Sequence, residues 1–251
     1  MPTWDAMKAQ IARGDGEVLG IPTGIEVLDA AMGGWHEGEL TYVGALPGRG
    51  KTSIMLQAMH HAAKLGYKVG CISLEMRAQQ LLRRLATIQS GLPAYKLRDP
   101  RMMNISEREH ARKSLFAFDG LDIWICDQSG LDPRAISSLA RQMHAKGAQV
   151  IFVDFVQIID EDARDRREAI NRVSAALRDT SKALGIPFVV LSQLARRDSD
   201  PNRRPTIQDL RESGNLEQDA HNVVLLYRPK DKATGEWTGE DEIILDNRAK
   251  T

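Results

Sequence analysis

The chain has 251 residues, enough for one large α/β domain that buries roughly three quarters of its unfolded surface. Its 42% hydrophobic and 27% charged content are ordinary for a soluble globular protein, and 5% aromatic residues argue against a core of aromatic clusters. With 34 basic and 34 acidic residues the net charge is zero, so a nucleic-acid partner would have to rest on local patches. The two cysteines, Cys71 and Cys126, fall in apolar strand-like runs. They read as small buried hydrophobes in a reducing cytosol, not as a disulfide framework or a metal site. The N-terminus is polar and amphipathic with no apolar signal core. No run approaches the roughly 20 apolar residues of a membrane span. A cytoplasmic protein without a membrane partner is expected.

In chain order, Thr3 to Arg13 places Trp4, Met7 and Ile11 at helical spacings, which predicts a short amphipathic helix. Its apolar stripe packs either on its own domain or on a neighbouring subunit. Ile25 to Met32 reads as a helix stopped by Gly33-Gly34, and Leu40 to Gly44 as the first strand. Then comes Ala45-Leu46-Pro47-Gly48-Arg49-Gly50-Lys51-Thr52, followed by a helix-like run from Ser53 to Lys64 that Gly66 closes. Strand, glycine-rich loop, helix is the context of a phosphate-binding loop. Gly48 and Gly50 let consecutive N–H groups turn inward on a phosphate, and the helix N-terminus adds partial positive charge. Pro47, Gly48, Arg49, Gly50, Lys51, Thr52 and Ser53 form the expected nucleotide-binding stretch. Lys51 would reach the β- and γ-phosphates of ATP, and the Thr52 hydroxyl would ligate Mg²⁺.

Strands and helices then alternate. Lys68 to Leu74 is a strand ending at Glu75, Ala78 to Gln89 a helix, Glu107 to Phe118 a second helix and Leu121 to Cys126 a strand. Pro133 to Lys146 is a helix with Asp132 as N-cap, and Gln149 to Val153 a strand ending at Asp154. Arg166 to Leu184 is a long helix, and Phe188 to Leu191 a strand leading into Ser192-Gln193. After a polar, arginine-rich stretch from Arg196 to Gly214, Asn222 to Tyr227 and Glu242 to Leu245 are the last strands, split by a hairpin-like Ala233-Thr234-Gly235. Short, continuously apolar strands predict a mostly parallel sheet covered by helices on both faces.

In such a sheet the ligand lies outside the carboxyl ends of the strands. The strands here share an apolar body and a polar residue at that end: Glu75, Asp154 and Gln193. Asp154 after Val150-Ile151-Phe152-Val153 suits a carboxylate held rigidly for Mg²⁺ beside a bound phosphate. Glu75 either polarises the attacking water or is an N-cap or first-turn charge for the helix from Arg77. Gln193 either senses the γ-phosphate or makes a plain buried-edge hydrogen bond. Arg164, Arg166 and Arg167 follow the Asp154 strand; Arg196, Arg197, Arg203, Arg204 and Arg211 follow the Gln193 strand. They suit a groove tracking a nucleic-acid backbone, or they are solvated loops balanced by acids such as Asp160, Glu161, Asp162 and Asp165.

These residues resemble the RecA-like C-terminal ATPase domain of DnaB-type replicative helicases. The likeness is carried by the phosphate loop, Ser73-Leu74-Glu75-Met76, Val153-Asp154-Phe155-Val156-Gln157, Leu191-Ser192-Gln193-Leu194 and Asp209-Leu210-Arg211-Glu212-Ser213-Gly214-Asn215-Leu216-Glu217-Gln218-Asp219-Ala220. It runs from about Gly20 to Arg248, and Ala45 at the first loop position is normal in that family. The resemblance implies a RecA-like P-loop NTPase core over residues 20–251, preceded by a linker helix and loop over 1–19 that docks on the adjacent subunit. It implies a catalytic Glu75 and a Gln193 that links γ-phosphate to DNA contact. It gives Arg211, Glu212 and Gly214 contact with single-stranded DNA, and it makes Arg248 an arginine finger reaching a neighbour's ATP. The implied activity is ATP-dependent movement on DNA by a ring, a homo-oligomer expected to be hexameric.

Two features depart from the family. Its usual Lys-x-Arg at the finger is Asp246-Asn247-Arg248 here, which replaces a positive charge by a negative one. The N-terminal collar domain has no counterpart in these residues, and Thr251 precedes the end of the family's last strand, as in a trimmed chain or a minimal relative. Two other readings remain open at this stage: a filament-forming or protein-directed RecA-fold ATPase, and a nucleotide-binding assembly module that hydrolyses little. The Asp209 to Ala220 segment argues against the first, and Asp246 would mark the lost activation of the second.

Overall fold

The computed structural model describes residues 19–154, 166–194, 203–211, 216–231, 233–239 and 242–247, with backbone only at 166–167, 211 and 246–247. The predicted helix at Thr3 to Arg13 lies outside them. The elements are α1 (Glu26–Met32), β1 (Leu40–Ala45), α2 (Lys51–Lys64), β2 (Val69–Ser73), α3 (Ala78–Ser90), α4 (Ala94–Arg98), a 3₁₀ turn (Pro100–Met102) and α5 (Ile105–Phe116). Then follow β3 (Ile123–Cys126), α6 (Pro133–Ala145), β4 (Val150–Asp154), α7 (Arg166–Leu184), β5 (Phe188–Gln193), α8 (Ile207–Arg211), α9 (Leu216–Asp219), β6 (Asn222–Tyr227) and β7 (Glu242–Asn247).

The strands form one seven-stranded sheet in the order β3-β2-β4-β5-β1-β6-β7. Every pairing is parallel except β6 with β7, the hairpin at the edge. Side chains alternate between two apolar layers. From β4, Ile151 and Val153 face a cluster with α6 and α7 residues such as Ile136, Met143 and Val173. Val150 and Phe152 face the opposite cluster with Leu28, Leu56, Met59 and Leu81 from α1, α2 and α3. This is the covered parallel sheet that continuous apolar runs demand, since both faces of each strand are buried.

The same order brings the chemistry to one edge. Strands β2, β4, β5 and β1 are consecutive neighbours. In register, Ser73 lies beside Asp154 and Ala45 beside Gln193. The Leu74 N–H donates to the Asp154 carbonyl at 2.6 Å, and the Leu194 N–H to that of Ala45 at 3.0 Å, so the ladder continues to the strand tips.

Several readings need correction. The second predicted helix begins at Ile105, not Glu107: Asn104 accepts the Glu107 N–H at 2.8 Å, and Glu107 accepts the Asn104 N–H at 3.0 Å, a reciprocal cap that fixes the start. Cys126 is only half-buried because β3 is an edge strand, whereas Cys71 is fully buried. The arginine-rich stretch contains α8, and α9 follows it. Among the described residues no helix is long and apolar enough to cross a membrane.

Helix α2 holds the phosphate loop through Met55, Leu56, Met59 and Ala62, all buried against the sheet. Leu56→Ala is expected to cost about 2–5 kcal/mol in urea unfolding through the cavity it leaves; a loss below about 1 kcal/mol would mean that α2 is not held by this packing.

Candidate nucleotide-binding site

The phosphate loop leaves β1 at Ala45. This residue is extended, lies in the ladder with Gln193 and Leu226, and buries its methyl in the core, so no glycine is needed there. Gly48 and Gly50 have φ of 73° and 89°. A Cβ at either would meet nothing within 4 Å, so left-handed backbone and not crowding requires glycine. Gly50 is the N-cap of α2 and offers no side chain to its first turn. The first-turn N–H groups of this 14-residue helix receive no side-chain cap from Gly50, and such a terminus suits an anion.

Beside the loop stands Asp154, fully buried at the end of β4. The Lys51 Nζ is 4.0 Å from its Oδ1, and the Thr52 hydroxyl donates to its Oδ2 at 3.3 Å. Burial pushes the Asp154 carboxyl above the usual carboxylate range, against the pull of Lys51. Burial likewise pushes the Lys51 ammonium down, and the charges of Asp154 and Glu75 oppose it. The Asp154 Oδ1 has no hydrogen-bond partner although it is buried. An orphaned carboxylate oxygen next to a hydroxyl is a donor set that fits a hard cation such as Mg²⁺. Among the described residues no group of three His, Cys, Asp or Glu side chains could hold a metal, so a cation here would draw its remaining ligands from phosphate and water.

Glu75 is exposed, two residues past β2. Its turn is fixed by Ser73, whose hydroxyl donates to the Met76 carbonyl at 2.6 Å and accepts the Met76 N–H at 3.2 Å. Helix α3 does not use Glu75 as its cap. Its first N–H groups go to Gln80, which accepts from Arg77 at 3.0 Å, and to Asp127, which accepts from Ala78 at 2.8 Å. Gln193 is exposed at the end of β5. Loop residues 45–48 and 50–53, Glu75 and Gln193 line one cleft of about 420 Å³, a size suited to a small ligand.

The cleft has further walls that sequence reasoning missed: Met76, Arg84, Arg228 and Trp237. Arg84 sits in Leu81-Leu82-Arg83-Arg84-Leu85, where helical spacing alone does not say which arginine reaches a ligand. Trp237 comes from the β6–β7 connection, and only the tertiary fold brings it to the loop. Of the proposed nucleic-acid contacts, Arg164, Arg196, Arg197, Glu212 and Gly214 lie outside the described residues, as does the proposed arginine finger Arg248. For Arg211, Arg166 and Arg167 only the backbone is described, in α8 and α7. Arg203 pairs with the buried Asp209, and Arg204 with Glu242 at 2.5 Å. Both are engaged within the chain, though with acids other than those expected.

A phosphate loop whose lysine faces a buried strand-end aspartate across a parallel sheet defines a P-loop nucleotide-binding protein. More narrowly, the chain belongs to the DnaB-like helicase C-terminal domain family, whose model matches residues 20–250. It is 32% identical to the replicative DNA helicase DnaC of Bacillus subtilis over 234 residues, covering 90% of this chain and 51% of that protein. It is 34% identical to the replicative DNA helicase DnaB of Rickettsia bellii over 226 residues, covering 84% and 45% respectively. The chain thus spans about half the length of these relatives. A solved ATPase domain superposes with a TM-score of 0.89 at 27% identity, covering 98% of this chain and 89% of that one. A DnaB-like replicative helicase solved in a study of its interactions with primase shows the same fold, with a TM-score of 0.84 at 24% identity over 96% of this chain and 63% of that one.

A carboxyl whose pKa is higher folded than unfolded costs stability as pH rises from the ordinary carboxylate range through the raised value, and the cost is complete above it. Asp154→Asn is therefore expected to raise the Tm of the nucleotide-free protein at neutral pH, with the gain shrinking to nothing as pH falls to the ordinary carboxylate range. Thermal unfolding over a pH series checks this; a gain independent of pH would place its cause elsewhere.

Proposed function

We propose that this chain is the ATP-hydrolysing motor of a DnaB-type replicative helicase, acting as a hexameric ring on single-stranded DNA. The observation that carries the reading is the cluster of Lys51, Thr52 and the buried Asp154 in one cleft with Glu75 and Gln193. Loop N–H groups and Lys51 bind the triphosphate. Thr52 and Asp154 would hold Mg²⁺, which neutralises charge on the phosphates. Glu75, exposed in the cleft and free of capping duty, orients the water that attacks the γ-phosphorus and takes its proton; ADP leaves with the bridging oxygen. Gln193, on the strand beside the phosphate loop, reports the γ-phosphate to the Arg211, Glu212 and Gly214 segment on the DNA backbone.

Arg248 is assigned to a neighbour's site, where a guanidinium stabilises charge on the transferred group. A surface that would meet a neighbour supports an assembly: Tyr95, Met102, Ile105 and Phe116 leave large apolar side chains exposed on α4, the 3₁₀ turn and α5.

Lys51→Ala is expected to abolish ATP hydrolysis. Arg248→Ala is expected to lower kcat by about 10³ or more while leaving ATP binding intact. Turnover with and without single-stranded DNA, beside a mass measurement of the assembly with a non-hydrolysable ATP analogue, checks both. Unchanged turnover in Arg248→Ala would remove the ring mechanism, and no turnover in the parent chain at any concentration would favour an assembly module.

A further inference from the structure

The opposite end of the sheet holds a second cavity, of about 470 Å³, that nucleotide chemistry does not use. Glu37, Tyr67, Gln149 and Gly185 line it, each a few residues before β1, β2, β4 or β5 begins. The cavity therefore lies at the N-terminal ends of these strands, and the phosphate loop lies at the other. Strands of five or six residues put the two sites roughly 17–20 Å apart.

Its polarity follows from how the chain arrives there. Each of those lining stretches comes directly after a helix, so α1, α2, α6 and α7 all end beside the cavity. The three long ones close alike. Tyr67 donates its N–H to the Ala62 carbonyl at 3.1 Å, Ala148 to Met143 at 3.0 Å and Ile186 to Ser181 at 3.4 Å, around the left-handed Gly66, Gly147 and Gly185. A helix C-terminus carries about half a negative charge. Glu37 adds an exposed carboxylate, and among the described lining residues none is a lysine or arginine. Lys64, Lys146 and Lys182, near the helix ends, are exposed to water and do not line the cavity. This end of the sheet favours a cation, as the phosphate-loop end favours an anion.

The hydrogen bonding at the wall is incomplete as well. Trp35 lines the cavity, is 3% exposed, and its indole N–H has no hydrogen-bond partner, a rare state for a buried donor. Gln149 uses its oxygen to accept the Lys68 N–H at 3.1 Å, which leaves its NH₂ to donate. The His36 Nε2 is 2.8 Å from the Met32 carbonyl, which only accepts, so Nε2 carries a proton and the neutral ring offers Nδ1 as an acceptor. We propose that this cavity is the docking site for a basic peptide segment. An arginine side chain enters among the helix ends beside Glu37 and His36, while carbonyls of the peptide accept from Gln149 and supply the acceptor that Trp35 lacks. The aromatic lining residues Trp35 and Tyr67 suit a flat, weakly hydrated guanidinium. Free arginine fits less well, because the potential that attracts its side chain repels its carboxylate. The indole N–H is covered, so the wall must give slightly for its bond to form, and its resonance reports whether it does.

The test is an NMR titration of the isotope-labelled full chain with N-acetyl-L-argininamide, with free L-arginine and with the neutral N-acetylglycinamide. The readout is the Trp35 indole N–H resonance, identified by its loss in Trp35→Phe. The arginine amide is expected to move it in a saturable way below about 20 mM and to bind at least about threefold more tightly than free arginine, and the neutral amide to leave it in place. Glu37→Gln is expected to weaken the arginine amide by about three- to fivefold and to leave binding of a non-hydrolysable ATP analogue unchanged. Four results would each overturn the docking site: no movement with the arginine amide, equal movement with the neutral amide, equal affinity for free arginine, or unchanged affinity in Glu37→Gln. None of them touches the nucleotide reading, since the two cavities share no lining residue.

Discussion

A carboxylate with no exposed surface stands 4.0 Å from a mostly buried ammonium, and the rest of the site is arranged around that pair. Neither charge is comfortable. Both are shifted toward their neutral forms by burial, and one oxygen of Asp154 has no hydrogen-bond partner. Desolvating two ions costs several kcal/mol each, and their mutual attraction at 4.0 Å offsets only part of this. The rigid sheet keeps them there all the same. Such a pair suits a ligand that is anionic at one point and accompanied by a cation at another. On the proposed reading, phosphate oxygens would pair with Lys51 and Asp154 would hold a magnesium ion, so the ligand would compensate each charge separately.

The strand order makes this possible. The P-loop strand does not lie next to the strand that follows it in sequence. Helix α2 carries the chain over β5 and β4 before β2 forms, leaving Asp154 and Gln193 on the strands between the phosphate loop and Glu75. Packing holds that arrangement tightly. A Cβ on Gly44 would come within 2.8 Å of the Leu194 side chain and 3.0 Å of Leu225. A methyl at Gly44 would therefore have to displace these two leucine side chains.

What could be read in the sequence was local. Gly48, Gly50 and Lys51 declare their role within eight residues, and Asp154 and Gln193 by ending apolar runs. The order of the strands follows from no single segment, yet alternating strands and helices were enough to place the polar ends on one edge. What escaped depended on partners far along the chain. Asp127 accepts the N–H of Ala78, which frees Glu75 from capping, and a separation of 49 residues hides that link. Trp237 meets Arg49 only after β6 has paired with β1. The ion-pair partners of Arg203 and Arg204, Asp209 and Glu242, lie on separate elements and could not be picked out from the sequence. Helix α4 and the 3₁₀ turn are too short to show a period.

The same dependence explains why a polar, arginine-rich stretch holds short helices at all. An α-helix of four or five residues has almost no stability of its own. Helix α8 survives because Asp209, 2% exposed, accepts the Thr206 N–H at 2.7 Å and pairs with Arg203, while Leu210 is buried. Helix α9 survives because Leu216 is buried and Asp219 takes the Ser174 hydroxyl at 2.6 Å and the Arg178 guanidinium. Ser174 in turn accepts the Tyr42 hydroxyl at 2.9 Å, and burial pushes that phenol well above its usual range. Tyr42 lies on β1, three residues before Ala45. One buried chain of hydrogen bonds thus ties α9 to the strand that carries the phosphate loop. Asp209 and Asp219, near the two ends of the segment that carries the family likeness, thus each hold a short helix by side-chain bonds to residues outside that helix.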